Sequence, residues 1–217
     1  MAMTKTRRKF GMAVDLERCL GCWTCAVVCK EENDVPMGLW WNRVLTEGGD
    51  GLDKPDGTYP HLDLDYLPLA CQHCEDAPCV KVCPAEATYK REDGGIVLVD
   101  YSKCIGCRYC MAACPYSVRV FNWAEPQRIP DFSYGMVEGR PRGVVEKCTF
   151  CVHRLDQGLE PSCVVSCPAQ ARIFGDLNDP DSPVSVAVRE RGGTQMLADK
   201  GTHPQVYYLS KRRKRPL

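Results

Sequence analysis

A chain of 217 residues with 28 Lys and Arg against 28 Asp and Glu has no net field to favour nucleic acid, and its length admits one domain or two small ones. No stretch approaches the roughly 18 apolar residues of a membrane helix; the best run, Gly95-Ile96-Val97-Leu98-Val99, is of strand length. Apolar content is 44%, but 16 cysteines contribute to it and aromatics are only 8%, so the expected core is small and completed by something other than aliphatic side chains.

At the start of the chain, Arg7-Arg8-Lys9-Phe10 has the outline of a twin-arginine export signal. Asp15 and Glu17 interrupt the next stretch before an apolar region forms, so a solvated basic start is the better reading. The cysteines come next, in four groups of four with none left over. The first is Cys19-x2-Cys22-x2-Cys25-x3-Cys29. Residues 33–70 follow, with Trp40-Trp41, Tyr59, Tyr66 and Leu67 among Gly and Asp. The second group is Cys71-x2-Cys74-x4-Cys79-x3-Cys83, then Pro84. Residues 85–100 place two strand-like runs around Asp93-Gly94-Gly95, a hairpin signal. The third group is Cys104-x2-Cys107-x2-Cys110-x3-Cys114, then Pro115. After 126–144, a linker, comes Cys148-x2-Cys151-x11-Cys163-x3-Cys167, then Pro168. The stretch Pro168–Asp176 resembles the one that starts at Pro84, an internal repeat. The remainder, to residue 217, is polar apart from an alternating run Val184-Ser185-Val186-Ala187-Val188 and Val206-Tyr207-Tyr208-Leu209.

Three chemistries compete for such cysteines. Disulfides suit cysteines spread among loops of small secreted chains, whereas bridges at two-residue spacing would be strained. Structural zinc takes two C-x2-C hooks a dozen or more residues apart and has no use for three cysteines at two-residue gaps followed by a fourth and a proline. The run C-x2-C-x2-C-x3-C-P is a bacterial ferredoxin pattern in which the fourth cysteine ligates the other cluster. The third group matches it in full, the first lacks only the proline, and the other two each stretch one gap. In this reading the fourth cysteine begins a helix leading to a neighbouring cube, and the proline takes its first position. Ligating sulfur is thiolate, so the loaded interior is more acidic than the formal charge, and lysines and arginines partly compensate it.

The expected fold is α+β. It consists of two ferredoxin-like two-cluster units, one inserted in the other, with short hairpins, small helices and long wrapping loops. Residues 10–32 with 145–180 form the outer unit and 71–125 the inner one. Residues 33–70 form an interface insertion and 181–217 a C-terminal docking tail.

The four groups, with x4 inside the second and x11 inside the fourth, resemble the four-cluster electron-transfer subunit of molybdopterin-dependent oxidoreductases. This is the family of dimethyl sulfoxide, polysulfide, thiosulfate and arsenate reductase beta subunits. The resemblance spans about residues 10–209 and is carried by residues 19–25, 71–79, 104–110 and 147–151, with Phe174-Gly175-Asp176-Leu177. It implies four 4Fe–4S clusters held in crossed sets. Those sets are Cys19, Cys22, Cys25 and Cys167; Cys148, Cys151, Cys163 and Cys29; Cys71, Cys74, Cys79 and Cys114; and Cys104, Cys107, Cys110 and Cys83. Relatives with a three-iron cluster replace the second cysteine of the third group, which is present here as Cys107. The C-terminal membrane helix of formate dehydrogenase beta subunits is not found. The resemblance further implies a molybdenum or tungsten pterin catalytic subunit as partner, and a membrane quinone-reactive subunit or another carrier next in line. The alternative is a free-standing polyferredoxin or a component of a hydrogenase, for which the segments 33–70 and 176–217 have little use.

No phosphate loop, dinucleotide fingerprint or hydrolase motif is present, so no catalytic residue is assigned and the chain is read as non-enzymatic. His73 and His153 lie inside cysteine groups and are read as hydrogen-bond donors or partner-facing rather than ligands. Lys147 and Arg108 either raise a cluster potential or are solvated. Trp40-Trp41 is either an interface anchor or an internal cover for the first cluster, and Tyr116 and Trp123 are packing residues. The basic stretch Lys211-Arg212-Arg213-Lys214-Arg215 is a solubilising tail or touches anionic lipid or an acidic partner.

Overall fold

The computed structural model describes residues 8–47, 53–126, 137 and 139–209. Arg7 of the basic start, most of the 126–144 linker and the basic stretch 211–215 lie outside the described residues. In chain order the elements are β1 (Phe10–Asp15), α1 (Thr24–Glu32), β2 (Arg43–Glu47), β3 (Asp56–Thr58), β4 (His61–Asp63), β5 (Asp65–Leu69), α2 (Pro78–Lys81), β6 (Thr88–Lys90), β7 (Val97–Val99), α3 (Tyr109–Ala112), β8 (Val120–Phe121), β9 (Val145–Glu146), α4 (Val152–Leu155), α5 (Ser162–Val165), β10 (Arg172–Asp176), α6 (Pro183–Arg191) and β11 (Val206–Leu209). Short strands and a few short helices make a mixed fold of the ferredoxin-like kind.

The cysteine spacing dictates the helices. In all four groups the third cysteine is the second residue of a helix: Cys25 in α1, Cys79 in α2, Cys110 in α3 and Cys163 in α5. The x3 gap then places the fourth cysteine about one helical turn further on. In the three groups with a Cys-Pro step the fourth cysteine therefore follows a helix and does not begin one, contrary to the expectation. A residue before proline is pushed out of the α region. Accordingly α2, α3 and α5 stop two residues short of Cys83, Cys114 and Cys167. A last three-residue turn closes each, with the cysteine N–H donating to Val80 (3.3 Å), Met111 (3.3 Å) and Val164 (3.2 Å) carbonyls. Cys29 has Lys30 after it instead of proline, and α1 runs on to Glu32.

The hairpin signal at Asp93–Gly95 is β6 paired antiparallel with β7, with Gly94 and Gly95 both at positive φ. A second antiparallel pair repeats its register. Thr88 faces Val99 in the first, and Arg172 faces Val14 in β10–β1. Thr88 and Arg172 each stand five residues after a fourth cysteine, Cys83 and Cys167. Val99 and Val14 stand five before a first cysteine, Cys104 and Cys19. Strand β11 adds to the free side of β1 in parallel, giving the order β10-β1-β11.

The insertion 33–70 is a hairpin, β2 against β5, whose base is buried through Trp41, Val44 and Leu69, with the small β3–β4 hairpin exposed beyond it. The alternating run 184–188 is helical, inside α6. Ser182-Pro183 opens that helix and Gly192, at φ 62°, closes it, and these end signals outweigh the alternation. Val184 packs there against Ala13 and Leu209. The largest buried clusters are built around sulfur: one contains Cys71, Cys74, Cys79 and Cys110 with Leu69, Val97, Tyr116, Val118 and Val145. No helix among the described residues is long and apolar enough to cross a membrane.

Candidate metal centres

Each C-x2-C loop turns through the residue just before its second cysteine. That residue is Gly21, His73, Gly106 or Phe150, with φ of 65°, 43°, 69° and 55°. Glycine enters this region freely. At Gly21 there is a second reason, since a Cβ would lie 2.3 Å from the Tyr66 ring, and at Gly106 it would lie 2.3 Å from the Gly143 carbonyl oxygen.

The helices that carry third cysteines pack in pairs, α1 with α5 and α2 with α3. The first group thereby meets the fourth, and the second meets the third. Cys19, Cys22, Cys25 and Cys167 line one cavity, closed by Val14, Trp23, Val44 and Pro68. Cys29, Cys148, Cys151 and Cys163 line another, which Cys71 also reaches. Around Cys74 the neighbouring thiols are Cys71, Cys79 and Cys114, and around Cys110 they are Cys79 and Cys104. Cys83 accepts the Thr88 N–H at 3.4 Å, as Cys167 accepts that of Ala171 at 3.3 Å. Cys107 is half-buried in the loop before α3.

All sixteen thiols are free, so they do not form a disulfide framework. Among the described residues no three His, Cys, Asp or Glu side chains converge on a single-ion site, as a structural zinc with its 2.3 Å bonds to sulfur would require. Burial pushes the Cys74 and Cys163 thiols up to about 12 and drives Cys29 and Cys148 upward too. Bare, these groups are neutral; iron binding must displace their protons. Groups of free cysteine sulfur, some buried and some with N–H donors aimed at them, that do not converge on a single-ion site fit polynuclear iron–sulfur groups and fit single ions poorly.

The model of the 4Fe-4S dicluster domain matches residues 62–128 and 134–177. The chain belongs to the 4Fe-4S dicluster domain family. One relative is a Halobacterium salinarum protein, provisionally named as an iron-sulfur subunit of dimethyl sulfoxide reductase. It is 59% identical over 93% of this chain and 79% of its own length. A sulfite dehydrogenase subunit of Allochromatium vinosum is 40% identical over 95% of this chain and 85% of its own. The arsenate respiratory reductase iron-sulfur subunit of a Shewanella species is 38% identical over 93% and 96%. Two of these three relatives are named as iron–sulfur subunits of reductases and the third as a dehydrogenase subunit.

The dicluster scaffold answers several open alternatives. Lys147 is wholly buried, donating through Nζ to the Val97 carbonyl and at 2.8 Å to that of Cys148, so the solvated reading fails. Arg108 is exposed and lies over the Trp123 and Phe121 rings. Trp123 itself stands on the surface and is not a core packing residue, whereas Tyr116 is buried with its hydroxyl on Thr202. Trp41 is an internal cover, its Nε1 donating to Glu146 at 3.0 Å, but it packs on Cys29 rather than on the first three cysteines. Trp40 meets Trp23 edge to face at the surface. His153 holds Glu32 at 2.8 Å. His73 is buried, accepting the Val97 N–H on Nδ1; burial and the nearby cations Lys147 and Arg119 keep it neutral.

Other site residues escaped the sequence reading. Arg172 sends Nη2 to Cys25 Sγ (3.5 Å) and Asn42 Oδ1 (3.0 Å), and Nη1 to Cys163 Sγ (3.8 Å). Asn33 reaches Cys151 Sγ at 3.6 Å. Arg119 is buried beside Cys79, Cys110 and Cys71. Asparagine and arginine are ordinary surface residues in a sequence; the one available signal was position, because Arg119 and Arg172 both stand five residues after a Cys-Pro step.

Proposed function

We propose that this chain is the electron-transfer subunit of a molybdopterin oxidoreductase, holding four 4Fe–4S clusters in the crossed sets named above and making no catalytic contact with substrate. The pairing of α1 with α5 and of α2 with α3 carries the reading. Each of these helices holds a third cysteine, with a fourth cysteine about one turn later. In the crossed scheme the third and fourth cysteines of each helical turn, with Cβ atoms about 6 Å apart, therefore serve two neighbouring sites. The repeated register of β6–β7 and β1–β10 supports two ferredoxin-like units, residues 10–32 with 145–180 enclosing 71–125.

A bound 4Fe–4S cluster supplies reversible one-electron chemistry at a potential tuned by charge, burial and hydrogen bonds to sulfur. The chain's own residues do the tuning and the ordering. In the order proposed, the Cys19 set comes first, followed by the Cys29 set, the Cys71 set and the Cys104 set. Cys71 and Cys148, lining one cavity, join the middle pair. Apolar side chains flank both outer sites in the open: Leu20 (64% exposed) and Trp23 (40%) beside Cys22, and Ile105 (69%) and Tyr109 (64%) around Cys107. Such patches mark docking faces, and they support entry of electrons at one end and exit at the other, with the pterin subunit at one and a membrane quinone-reactive subunit or another carrier at the other.

The test is iron and acid-labile sulfide on the anaerobically purified complex, with EPR during reductive titration and a pterin assay on whatever co-purifies. About sixteen irons per chain, interacting signals from several reduced cubes and a pterin-bearing partner are expected. Two clusters, or zinc, would overturn the four-site assignment; a partner without pterin would overturn the complex.

A further inference from the structure

Three cations are buried among the sulfurs, and each lies between two of the proposed sites, on whose assignment this inference rests. Arg172 lines both the cavity of Cys19, Cys22, Cys25 and Cys167 and that of Cys29, Cys148, Cys151 and Cys163, and it donates to one sulfur of each, Cys25 and Cys163. Lys147 sits beside Cys148 of the second set and Cys71 and Cys79 of the third. Arg119 sits beside Cys71 and Cys79 of the third and Cys110 of the fourth. Four sites in a row have three junctions, and each junction holds one cation.

None of the three is neutralised by protein. Arg140, equally buried, pairs with Glu146 at 3.0 Å. The charged neighbours of Arg172, Lys147 and Arg119 are mainly cysteine sulfurs; Lys147 also lies near the Arg119 cation, and burial together with that cation lowers its pKa. Among the described residues no carboxylate makes an ion pair with any of the three. Nη2 of Arg119 is shut off from water with no hydrogen-bond partner. An unpaired buried cation is strongly unfavourable, so the fold must be completed by anionic groups on either side. Local construction repeats at two of the junctions. Arg119 and Arg172 each follow a Cys-Pro step by the same interval, which delivers both guanidinia back onto the sulfurs. Arg119 then rests on Thr88 Oγ1 (3.4 Å), the residue at that interval after Cys83. Asn42 fixes Arg172 by accepting from it while donating to the Cys25 carbonyl at 2.9 Å.

We propose that Arg172, Lys147 and Arg119 are shared counter-ions, each raising the reduction potentials of the two clusters it separates, so that neighbouring sites are shifted in pairs. A shared cation keeps the two potentials of a junction moving together, which a charge placed beside a single cluster would not do.

The experiment is EPR-monitored potentiometry of the anaerobic holoprotein, wild type against R172Q, R119Q, K147M and R172K, with iron measured on every sample. In R172Q two of the four reduction equilibria are expected to move about tenfold, a fall of roughly 59 mV for one-electron sites, while the other two stay in place. R119Q should move the complementary pair, and K147M one member of each. R172K, which keeps the charge, should restore wild-type values. Fully loaded variants whose four potentials all stay put, in which only one moves, or in which all four drift together overturn the proposal. Should R172Q fail to load, R119Q and K147M decide by the same pattern. Wild-type protein with fewer than about sixteen irons would instead sink the four-site assignment, an outcome that iron analysis separates from any shift in potential.

Discussion

His73 and Phe150 stack with ring centroids 3.7 Å apart and planes 26° from parallel, and they hold the same place in their loops, immediately before the second cysteine of their groups. At that place the first and third groups have glycine. The second and fourth groups instead hold an aromatic residue in the left-handed region, at a cost of about 1–2 kcal/mol each. The two aromatics meet in the interior, where the stack joins the second group to the fourth and offsets the strain.

Phe150 therefore gives an unusual order of variants. Phe150→Ala should lose about 3–5 kcal/mol through the cavity it leaves. Phe150→Gly should lose less, by about 1 kcal/mol, because glycine relieves the positive φ. Anaerobic thermal denaturation of the loaded protein reads the order; alanine above glycine would mean that the loop does not hold this residue in the left-handed region.

Gly106 and Gly143 separate strain from collision. Both have positive φ, but a Cβ on Gly106 would meet a backbone oxygen at 2.3 Å, whereas one on Gly143 meets nothing within 4 Å. Gly143→Ala should cost about 1–2 kcal/mol and keep full iron. Gly106→Ala should displace the Cys104–Cys107 loop and lower the iron content. Equal iron in the two variants would refute the collision.

Glu32 ties the first group to the fourth, accepting hydrogen bonds from Ser162, His153 and Arg154. Burial alone would raise its pKa, but those donors and the Arg154 charge win and hold it below the ordinary 4.5. A depressed carboxylate stabilises the fold above its unfolded value, and that contribution is lost as pH falls through the folded value. Glu32→Gln should thus cost about 1.5–3 kcal/mol at neutral pH. The gap from wild type should narrow once pH drops below 4.5, as paired melting curves will show. A gap independent of pH would mean that charge plays no part.

Iron removal is the fourth test. One of the main buried clusters has four cysteines among its ten buried members. Anaerobic chelation should therefore abolish the cooperative melt and the near-ultraviolet circular dichroism together. A stripped protein that still melts sharply would show that the side chains suffice alone.

The cysteine groups, the Asp93–Gly95 hairpin and the repeat after Pro168 were legible in the sequence because each rests on local rules of spacing and turn chemistry. Helix placement was misread at Cys83, Cys114 and Cys167, where proline acts as a stop. Its absence after Cys29 shows the same rule from the other side, since there α1 continues and delivers Glu32. The run 184–188 alternates in apolar character, yet Ser182-Pro183 and Gly192 mark the helix it belongs to. Lys147 was picked out by its place beside Cys148, but Arg172 and Arg119 were not picked from among 28 basic residues, because their burial depends on segments far away in the chain.

In the sheet β10-β1-β11 the middle strand is the earliest of the three in the chain, and both its neighbours come late, at 172–176 and 206–209. During synthesis β1 must wait, with Met12, Ala13 and Val14 uncovered, until nearly all the described chain has emerged. The β6–β7 hairpin, in contrast, closes over a few residues. Long-range pairing is slow, and waiting apolar strands invite aggregation. The β6–β7 hairpin can therefore form on the ribosome, while the β10-β1-β11 sheet is a post-synthetic event and the stage at which a chaperone or a partner subunit would be needed.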